Sequence, residues 1–451
     1  MPLQQEAVEN TRFFGRDLVS KETEKGLFSP RVLHWAGKGF WAVTDQALFA
    51  GTNFLVNILL ARWLSPEEYG AFALAYSVFL FLAGLHSAVL TEPMMVFGAG
   101  KYADCFLPYF KILLHGHWAV TGFIALLLAL AAWVLGHTAL AIPAQAFAGL
   151  TLAAPFILYS WLLRRAFYVK GAPQWSALGG GLYLVLMLGT FGGLHALGKL
   201  SSFCAFLALG TVSGLVSILL LRFLAGGSKK EETTPERNSV LGAHWAYGRW
   251  LALHSLVFWV FSQASVPALT AFQGLAMAGV YRAYQNLTLP IFHFLMALGS
   301  LVLPAASRRY RQEGFIGLKK ITVSWTMLAL LCAIFYSTII YALRRPLVAF
   351  LLGEPYMAYT DLLGIWLLGP VIVVLGRGGE IMARVAERPQ FVLYSYLVGS
   401  VATVGLFLFL VPAFGLWGAA WATVGSFAVQ TLIITILSWS ICKGAVFRVR
   451  H

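Results

Sequence analysis

The chain alternates long apolar runs with short polar segments along most of its length. Several runs exceed the ~18 residues that a helix needs to cross the hydrocarbon core of a bilayer. Barrel strands need only about 10 residues each, so runs of this length favour helices. The pattern predicts about twelve spans, at 39–61, 71–91, 109–135, 138–160, 176–197, 202–224, 249–270, 279–304, 321–342, 360–383, 390–411 and 416–440.

The stretch Trp41–Tyr76 shows the pattern most clearly. An apolar run that carries several amides and one carboxylate reaches a short turn at 64–70, and a second apolar run follows. We interpret this stretch as the first hairpin of a six-helix lobe, and we expect two such lobes to form a transporter.

The composition agrees with a membrane protein. The 451 residues are 59% hydrophobic and 11% charged, and the mean hydropathy is +0.76. A soluble domain carries about 25% charged residues. The sequence therefore predicts an all-α polytopic membrane protein with about twelve transmembrane helices in two pseudo-symmetric six-helix lobes.

Lysine and arginine set the predicted orientation. If both termini are cytoplasmic, 27 of the 32 Lys and Arg residues fall in the tails and in the turns of one side. This is the bias of cytoplasmic loops in membrane proteins, and it explains the pI of 9.7 without nucleic acid as a partner. The first 28 residues lack an apolar core, so we expect no cleavable signal peptide. The five other basic residues are Arg62, Lys199, Arg282, Arg344 and Arg345.

One polar connection divides six predicted spans from six. We expect a cytoplasmic tail with an interfacial helix at 1–38, an N-lobe at 39–224, a flexible cytoplasmic linker at 225–248, a C-lobe at 249–440 and a tail at 441–451. A shift of 209 residues superposes the first two spans of the lobes and aligns Gly70 with Gly279. An even number of spans in each half gives both halves the same orientation, with a substrate site between them.

Polar side chains on the first span are costly in hydrocarbon and should face protein or a water-filled cavity. Gln46, Asn53 and Asn57 lie at i, i+7 and i+11, on one face of a helix. They predict either a cavity lining or interhelical hydrogen bonds. Asp45 flanks that face and is a candidate for proton or sodium coupling.

The eighth predicted span carries a second polar stripe. Arg282, Gln285, Asn286 and His293 lie at i, i+3, i+4 and i+11. A guanidinium that faces a cavity suits the oxygens of phosphate groups. The alternative interpretation is an arginine that reaches toward the interface beside structural amides.

Charged residues end two spans on the predicted cytoplasmic side. Glu92 ends the second span, and Arg377, Glu380 and Arg384 end the tenth. Glu380 has arginines at i−3 and i+4, so local ion pairing is one interpretation. The other is a cytoplasmic gate in which Glu92 of one lobe meets Arg377 or Arg384 of the other.

The sequence offers no sign of a catalytic or metal site. The four cysteines are scattered, and the histidines lack the spacing of metal ligands, so we interpret both as structural. No phosphate-binding loop, metalloprotease motif or nucleophile elbow occurs. We therefore predict a transporter with no cofactor, coupled to H⁺ or Na⁺, rather than an enzyme.

Residues 45–72, with Leu60-Ala61-Arg62-Trp63-Leu64-Ser65-Pro66-Glu67-Glu68-Tyr69-Gly70 at their centre, resemble the polysaccharide-biosynthesis (Wzx-type) flippases of the multidrug/oligosaccharidyl-lipid/polysaccharide (MOP) exporter superfamily. The segment Glu92–Gly98, followed by Lys101-Tyr102, is similar to a bacterial exopolysaccharide subgroup. The strong resemblance covers residues 40–105, and the remainder agrees in span count and lobe division.

This resemblance implies two lobes that form a V and rock between inward-open and outward-open states. It implies a cargo of undecaprenyl-pyrophosphate-linked oligosaccharide, moved across the bacterial inner membrane for exopolysaccharide or O-antigen (lipopolysaccharide) synthesis. The expected partners are that cargo, membrane lipids, and a polysaccharide synthesis and polymerase complex.

Two alternatives remain open at this point. One is a MATE-type, cation-coupled exporter of small molecules, which a cavity richer in carboxylate than in arginine would favour. The other is an intramembrane polysaccharide polymerase or acyltransferase, which should carry a long outer loop or a clustered His/Arg/Asp site. The longest predicted outer segment, at 343–359, is short.

Overall fold

A computed structural model describes residues 30–138, 140–226 and 234–449, and these residues form helices and turns with no strand. The π-helical turn Ser87–Thr91 joins α2 to α3, and the 3₁₀-helix Glu354–Leu362 precedes α12. The helices are α1 Pro30–Trp63, α2 Pro66–His86, α3 Glu92–Phe97, α4 Phe106–Gly136, α5 Ala141–Val169, α6 Pro173–Ala196, α7 Ser202–Gly226, α8 Arg237–Gln263, α9 Ser265–Asn286, α10 Leu289–Ala342, α11 Arg344–Leu351, α12 Leu363–Trp366, α13 Leu368–Val385 and α14 Gln390–Val449.

Three long helical stretches turn back on themselves at a glycine. Gly274, Gly314 and Gly415 have φ between 54° and 83°, a region that only glycine enters freely. Across Gly415, for example, Gln430 donates a hydrogen bond of 3.2 Å to Ser395 Oγ. Nine described helical stretches are long and apolar enough to cross a membrane. Dividing three of these stretches at the glycines and adding α1 gives thirteen helical segments among the described residues, two of which, 275–286 and 289–313, are separated by only two residues. The all-α polytopic fold is therefore as predicted.

Two helices extend beyond the predicted boundaries. Helix α1 runs without a break from Pro30 to Trp63, so among the described residues the expected interfacial segment is continuous with the first span. The expected linker 225–248 becomes helical at Arg237, because His244 and Gly248 are buried there against the π-helical turn. Residues 1–29 and 227–233, which include the predicted tail and the charged centre of the linker, lie outside the described residues.

The two ends of the bundle differ in charge. At one end Lys38 Nζ lies 3.1 Å from the position that a Cβ of Gly171 would occupy, beside Lys170 and Arg165. We call this the basic end. At the other end, called the opposite end, Glu68 accepts a hydrogen bond of 2.8 Å from the backbone N–H of Ser202.

A continuous seam joins the first half of the chain, α1–α7, to the second half, α8–α14. We use "the seam" for the contacts of α2 and the π-helical turn with α8 and α9. Near its middle, Trp259 Nε1 donates a hydrogen bond of 2.7 Å to the carbonyl of Ser77. Toward the basic end, a Cβ on Gly248 would lie 2.5 Å from the carbonyl oxygen of Ala88. Glycines at these positions let the backbones approach closely, as in other membrane helix pairs.

The seam shows the predicted internal symmetry. A Cβ added to Gly70 would lie 1.9 Å from the carbonyl oxygen of Leu275, and one added to Gly279 would lie 2.2 Å from that of Pro66. Leu275 and Gly279 follow Pro66 and Gly70 by 209 residues each, so the two contacts exchange under the predicted shift. Reciprocity of this kind is the mark of a two-fold relation between the halves.

The opposite end is closed across the halves. The Arg62 guanidinium, at the end of α1, donates to the carbonyls of Ala349 and Phe350 at the end of α11. No described hydrogen bond or ion pair joins residues 40–57 of α1 to the second half. Toward the basic end, Val43 of α1 and Met296 of α10 are 69% and 62% exposed. Among the described residues, the polar contacts between α1 and the second half therefore lie toward the opposite end.

Candidate functional site

A cavity of about 420 Å³ lies between the halves and reaches from the basic end to the middle of the bundle. Helices α1, α2 and α5 of the first half and α8 of the second form its wall. Apolar rings, among them Trp161 and Trp259, make up part of the lining. The charged and amide side chains in the wall are Asp45, Gln46, Glu92, Arg164, Arg165 and Gln263.

Asp45 is buried and already has a cationic partner. Arg164, from α5, donates to Asp45 Oδ1 from Nη2 at 2.8 Å, and Tyr168 Oη donates to Oδ2 at 2.7 Å. Arg164 also lies over the ring of Phe49, 4.1 Å from its centre. Both carboxylate oxygens are therefore occupied, and ion coupling at Asp45 would require this ion pair to break.

Arg282 is a buried cation whose described hydrogen-bond acceptors are two side-chain amide oxygens. Its side chain, 7% exposed, donates to Gln285 Oε1 at 2.8 Å and to Gln263 Oε1 at 3.4 Å. No carboxylate of the described residues forms an ion pair with it. Gln263 also lines the cavity, so it separates the guanidinium from the inner end of that space.

Asn57 and Asn286 bridge the two halves rather than line the cavity. Asn286 Nδ2 donates to Tyr69 Oη at 2.7 Å, and Tyr69 Oη donates to Asn57 Oδ1 at 3.4 Å. Asn57 Nδ2 in turn donates to the carbonyl of Asn53 at 2.8 Å. Of the three polar residues predicted on this face of α1, only Gln46 lies in the cavity wall of this conformation.

His293 does not continue the stripe of Arg282. Helix α9 ends at Asn286, and α10 begins at Leu289, so the helical spacing does not carry across the break. His293 is exposed and lies in neither described cavity. Its role in lining a cavity therefore stays a prediction.

The predicted gate pair is not formed in this conformation. Arg377 and Arg384 both approach Glu380, at 2.7 Å and 3.9 Å. These three residues line a second cavity of about 400 Å³ between α10 and α13. Glu92 lines the first cavity instead, so the local pairing at Glu380 is the arrangement present.

Sequence reasoning missed Arg164, Arg165 and Tyr168. It counted the arginines among the basic residues of a turn, because the predicted span ended at residue 160. Helix α5 continues to Val169 and carries these side chains into the cavity wall. The spacing of Arg164 and Tyr168, at i and i+4, was the available signal.

Comparison with known proteins begins from this geometry. No family model matches the chain. The succinoglycan biosynthesis transport protein ExoT of Rhizobium meliloti is 41% identical over 56 residues, a stretch that spans 12% of this chain and 11% of that protein.

Solved structures match most of the chain at low identity. An inward-facing multidrug resistance MATE family transporter of the MOP superfamily superposes with a TM-score of 0.71 at 14% identity, covering 90% of this chain and 98% of its own. The lipid II flippase MurJ, in an inward closed conformation, gives 0.65 at 12% identity, over 90% and 87%. An outward-facing MATE family transporter gives 0.62 at 15%, over 91% and 96%. The chain has the all-α, multi-pass membrane fold of MOP-superfamily transporters.

Proposed function

We propose that this protein flips an undecaprenyl-pyrophosphate-linked oligosaccharide across the bacterial inner membrane by alternating access. The observation that carries the proposal is Arg282, a buried cation beside the cavity whose described partners are two amide oxygens. Burying a charge is unfavourable unless it is paired. An anionic group at the inner end of the cavity would supply that pairing once Gln263 moved aside.

The cavity wall suits a diphosphate with sugars attached. Arg165 lines the cavity, and guanidinium groups bind phosphate oxygens through two parallel hydrogen bonds. Gln46 and Gln263 offer amides for sugar hydroxyls. Asn57 and Asn286 would reach the cargo only after their bridge through Tyr69 had opened.

The flank between α1 and α10 provides a place for the lipid tail. Phe40 and Val43 of α1 and Phe294 of α10 are exposed apolar side chains. A polyprenyl chain could remain in the bilayer along this flank while its head group occupied the cavity. The names of two similar proteins, a lipid II flippase and a succinoglycan transport protein, support a lipid-linked cargo of this kind.

Transport requires the two ends to open in turn. In this conformation Arg62 and Tyr69 hold the opposite end closed, while the cavity reaches the basic end. A bound cargo shifts this equilibrium only by binding one state more tightly than the other. We expect the pyrophosphate to do so by pairing with Arg282 in the state where Gln263 has withdrawn.

Binding of undecaprenyl diphosphate to the purified protein tests the proposal, with the fluorescence of Trp161 and Trp259 in the cavity wall as the signal. A hydrogen bond to a charged group contributes about 1.5–3 kcal/mol, so Arg282→Ala should weaken binding by about tenfold or more. Arg311→Ala is the matched control, because Arg311 is exposed and lies in neither cavity. It should bind as the wild type does.

Two results would reject the proposal. Equal affinity for undecaprenol and its diphosphate would remove the role of the cationic groups. Binding of a small organic cation, without binding of the diphosphate, would favour the MATE-type exporter instead.

A further inference from the structure

Two buried histidines meet beside the cavity. His86 Nε2 and His117 Nδ1 are 2.9 Å apart, a hydrogen-bond distance, and the two residues are 1% and 0% exposed. His86 is also part of the cavity wall. Nothing in the binding of a pyrophosphate cargo requires this pair.

The backbone around His86 is irregular at this point. His86 ends α2, and the π-helical turn Ser87–Thr91 follows it directly. Such turns are rare and are often found at functional sites. The same turn forms the seam with α8, where Val89 accepts a hydrogen bond of 2.9 Å from His244. A change of charge at His86 therefore acts next to a contact between the halves.

The pair can accept one further proton without losing its contact. Two neutral imidazoles carry two N–H groups and two lone pairs, and the contact uses one of each. His117 interacts with the backbone of Pro155, and its Nε2 forms no hydrogen bond of normal geometry with the described residues. A proton added to the remaining lone pair converts one ring to an imidazolium. The hydrogen bond between the two rings is kept, because one ring still donates an N–H to a lone pair of the other.

The surroundings favour the neutral pair in this conformation. Tyr159 and Trp118 pack their rings against His117 from α5 and α4, and neither carries a charge. The charged groups that line the cavity with His86 are the Asp45–Arg164 ion pair, Glu92 and Arg165, and they sum to zero. His254 faces the same cavity from α8. A buried imidazolium here would lack a neighbouring carboxylate that is not already paired or exposed.

We propose that the His86–His117 pair is the proton-coupling site of the transport cycle. The neutral pair belongs to the conformation described here, with the cavity reaching the basic end. Uptake of one proton favours the conformation in which the opposite end opens and the pair is hydrated. The inference rests on alternating access as proposed above, and it gives the coupling ion as H⁺.

The pair explains coupling better than the two carboxylates first considered. Both oxygens of Asp45 are held by Arg164 and Tyr168. Glu92 is exposed and lies at the rim of the cavity rather than in a buried contact between helices. Of these groups, the histidine pair is buried, has an unused lone pair and lies beside the seam.

A distance measurement on the purified protein in nanodiscs tests the proposal without any cargo. Spin labels at Val43→Cys and Met296→Cys, with the four native cysteines changed to serine, report on the gap between α1 and α10. Lowering the pH from 8 to 5 should move most of the population to a shorter distance. His86→Gln and His117→Gln should each abolish that shift. His195→Gln, far away against Trp63 at the opposite end, should leave it unchanged.

The possible results of this measurement distinguish the proposed role of the histidine pair from the alternatives. No shift in the wild type, or an unchanged shift in a folded His86→Gln or His117→Gln protein, overturns the proposal. Loss of the shift in Glu92→Gln or His254→Gln also overturns it, and these two variants decide the question if the first two fail to fold. Persistence of the shift in both of them supports it. A diphosphate-binding failure with an intact pH response rejects only the proposed cargo.

Discussion

At the scale of single residues, this protein holds charge inside a membrane fold in two different ways. Asp45 and Arg164 neutralise each other at 2.8 Å, with the carboxylate fully buried. Arg282 has amide partners only. A paired charge is a structural element, whereas an unpaired one is available to a ligand, so the two arginines should respond differently to mutation.

Asp45→Asn should lower the free energy of unfolding by about 3–5 kcal/mol, because it leaves the Arg164 cation buried without a counter-charge. Chemical unfolding in mixed micelles measures this loss. The double variant Asp45→Asn/Arg164→Gln should recover part of the stability. The neighbouring Gln46→Ala, at an exposed position, should change stability little. An Asp45→Asn protein as stable as the wild type would contradict this account of the ion pair.

The sequence indicated Asp45 and Arg282 because a charge within an apolar run has few explanations. It could not indicate their partners. Arg164 is 119 residues from Asp45 along the chain, and only the packing of α1 against α5 brings them together. Likewise, the amides Asn57 and Asn286 were visible as polar positions, but their bridge through Tyr69 depends on contact between the halves.

At the scale of helices, the seam depends on residues without side chains. Gly70, Gly248 and Gly279 lie where an added Cβ would meet a backbone carbonyl within 2.5 Å. The apolar periodicity predicted the helices of the seam well, since span length is set by the bilayer. It placed the start of α8 too late, because the polar composition of 237–248 hid a helix with one buried face.

Gly248→Ala should destabilise the protein by about 1–3 kcal/mol, because the new methyl group would overpack the contact with Ala88. Gly242→Ala is its matched control on the same helix, since no atom lies within 4 Å of that Cβ position. There the better helix propensity of alanine should leave stability unchanged or raise it by up to about 1 kcal/mol. Gly248→Ala should therefore lower the temperature of thermal unfolding while Gly242→Ala keeps or raises it, and equal shifts would contradict the close contact.

At the scale of the whole molecule, few polar contacts decide which end is closed. Arg62 reaches from the end of α1 to the carbonyls at the end of α11, where a cation is also favoured by the helix dipole. The all-helical, multi-pass fold and the 209-residue relation between Gly70 and Gly279 were predictable from the sequence. The conformation was not, because the same apolar pattern serves every state of the cycle.

Arg62→Ala should weaken the closed opposite end and raise the fraction of molecules with a short distance between labels at Val43 and Met296 at pH 8. Arg345→Ala is the control, because Arg345 is exposed on α11. Its distance distribution should match that of the wild type. An Arg62→Ala distribution that also matches the wild type would show that this contact does not hold the end closed.

The two halves are joined continuously along the seam, whereas the flank between α1 and α10 has few polar contacts. Under the proposed function, a lipid-linked cargo would enter from one direction in the plane of the membrane, past α1 and α10. We would then expect an enzyme that supplies such a cargo to dock against those two helices. The face formed by α2 and α8 would remain available for protein contacts that do not block entry of the cargo.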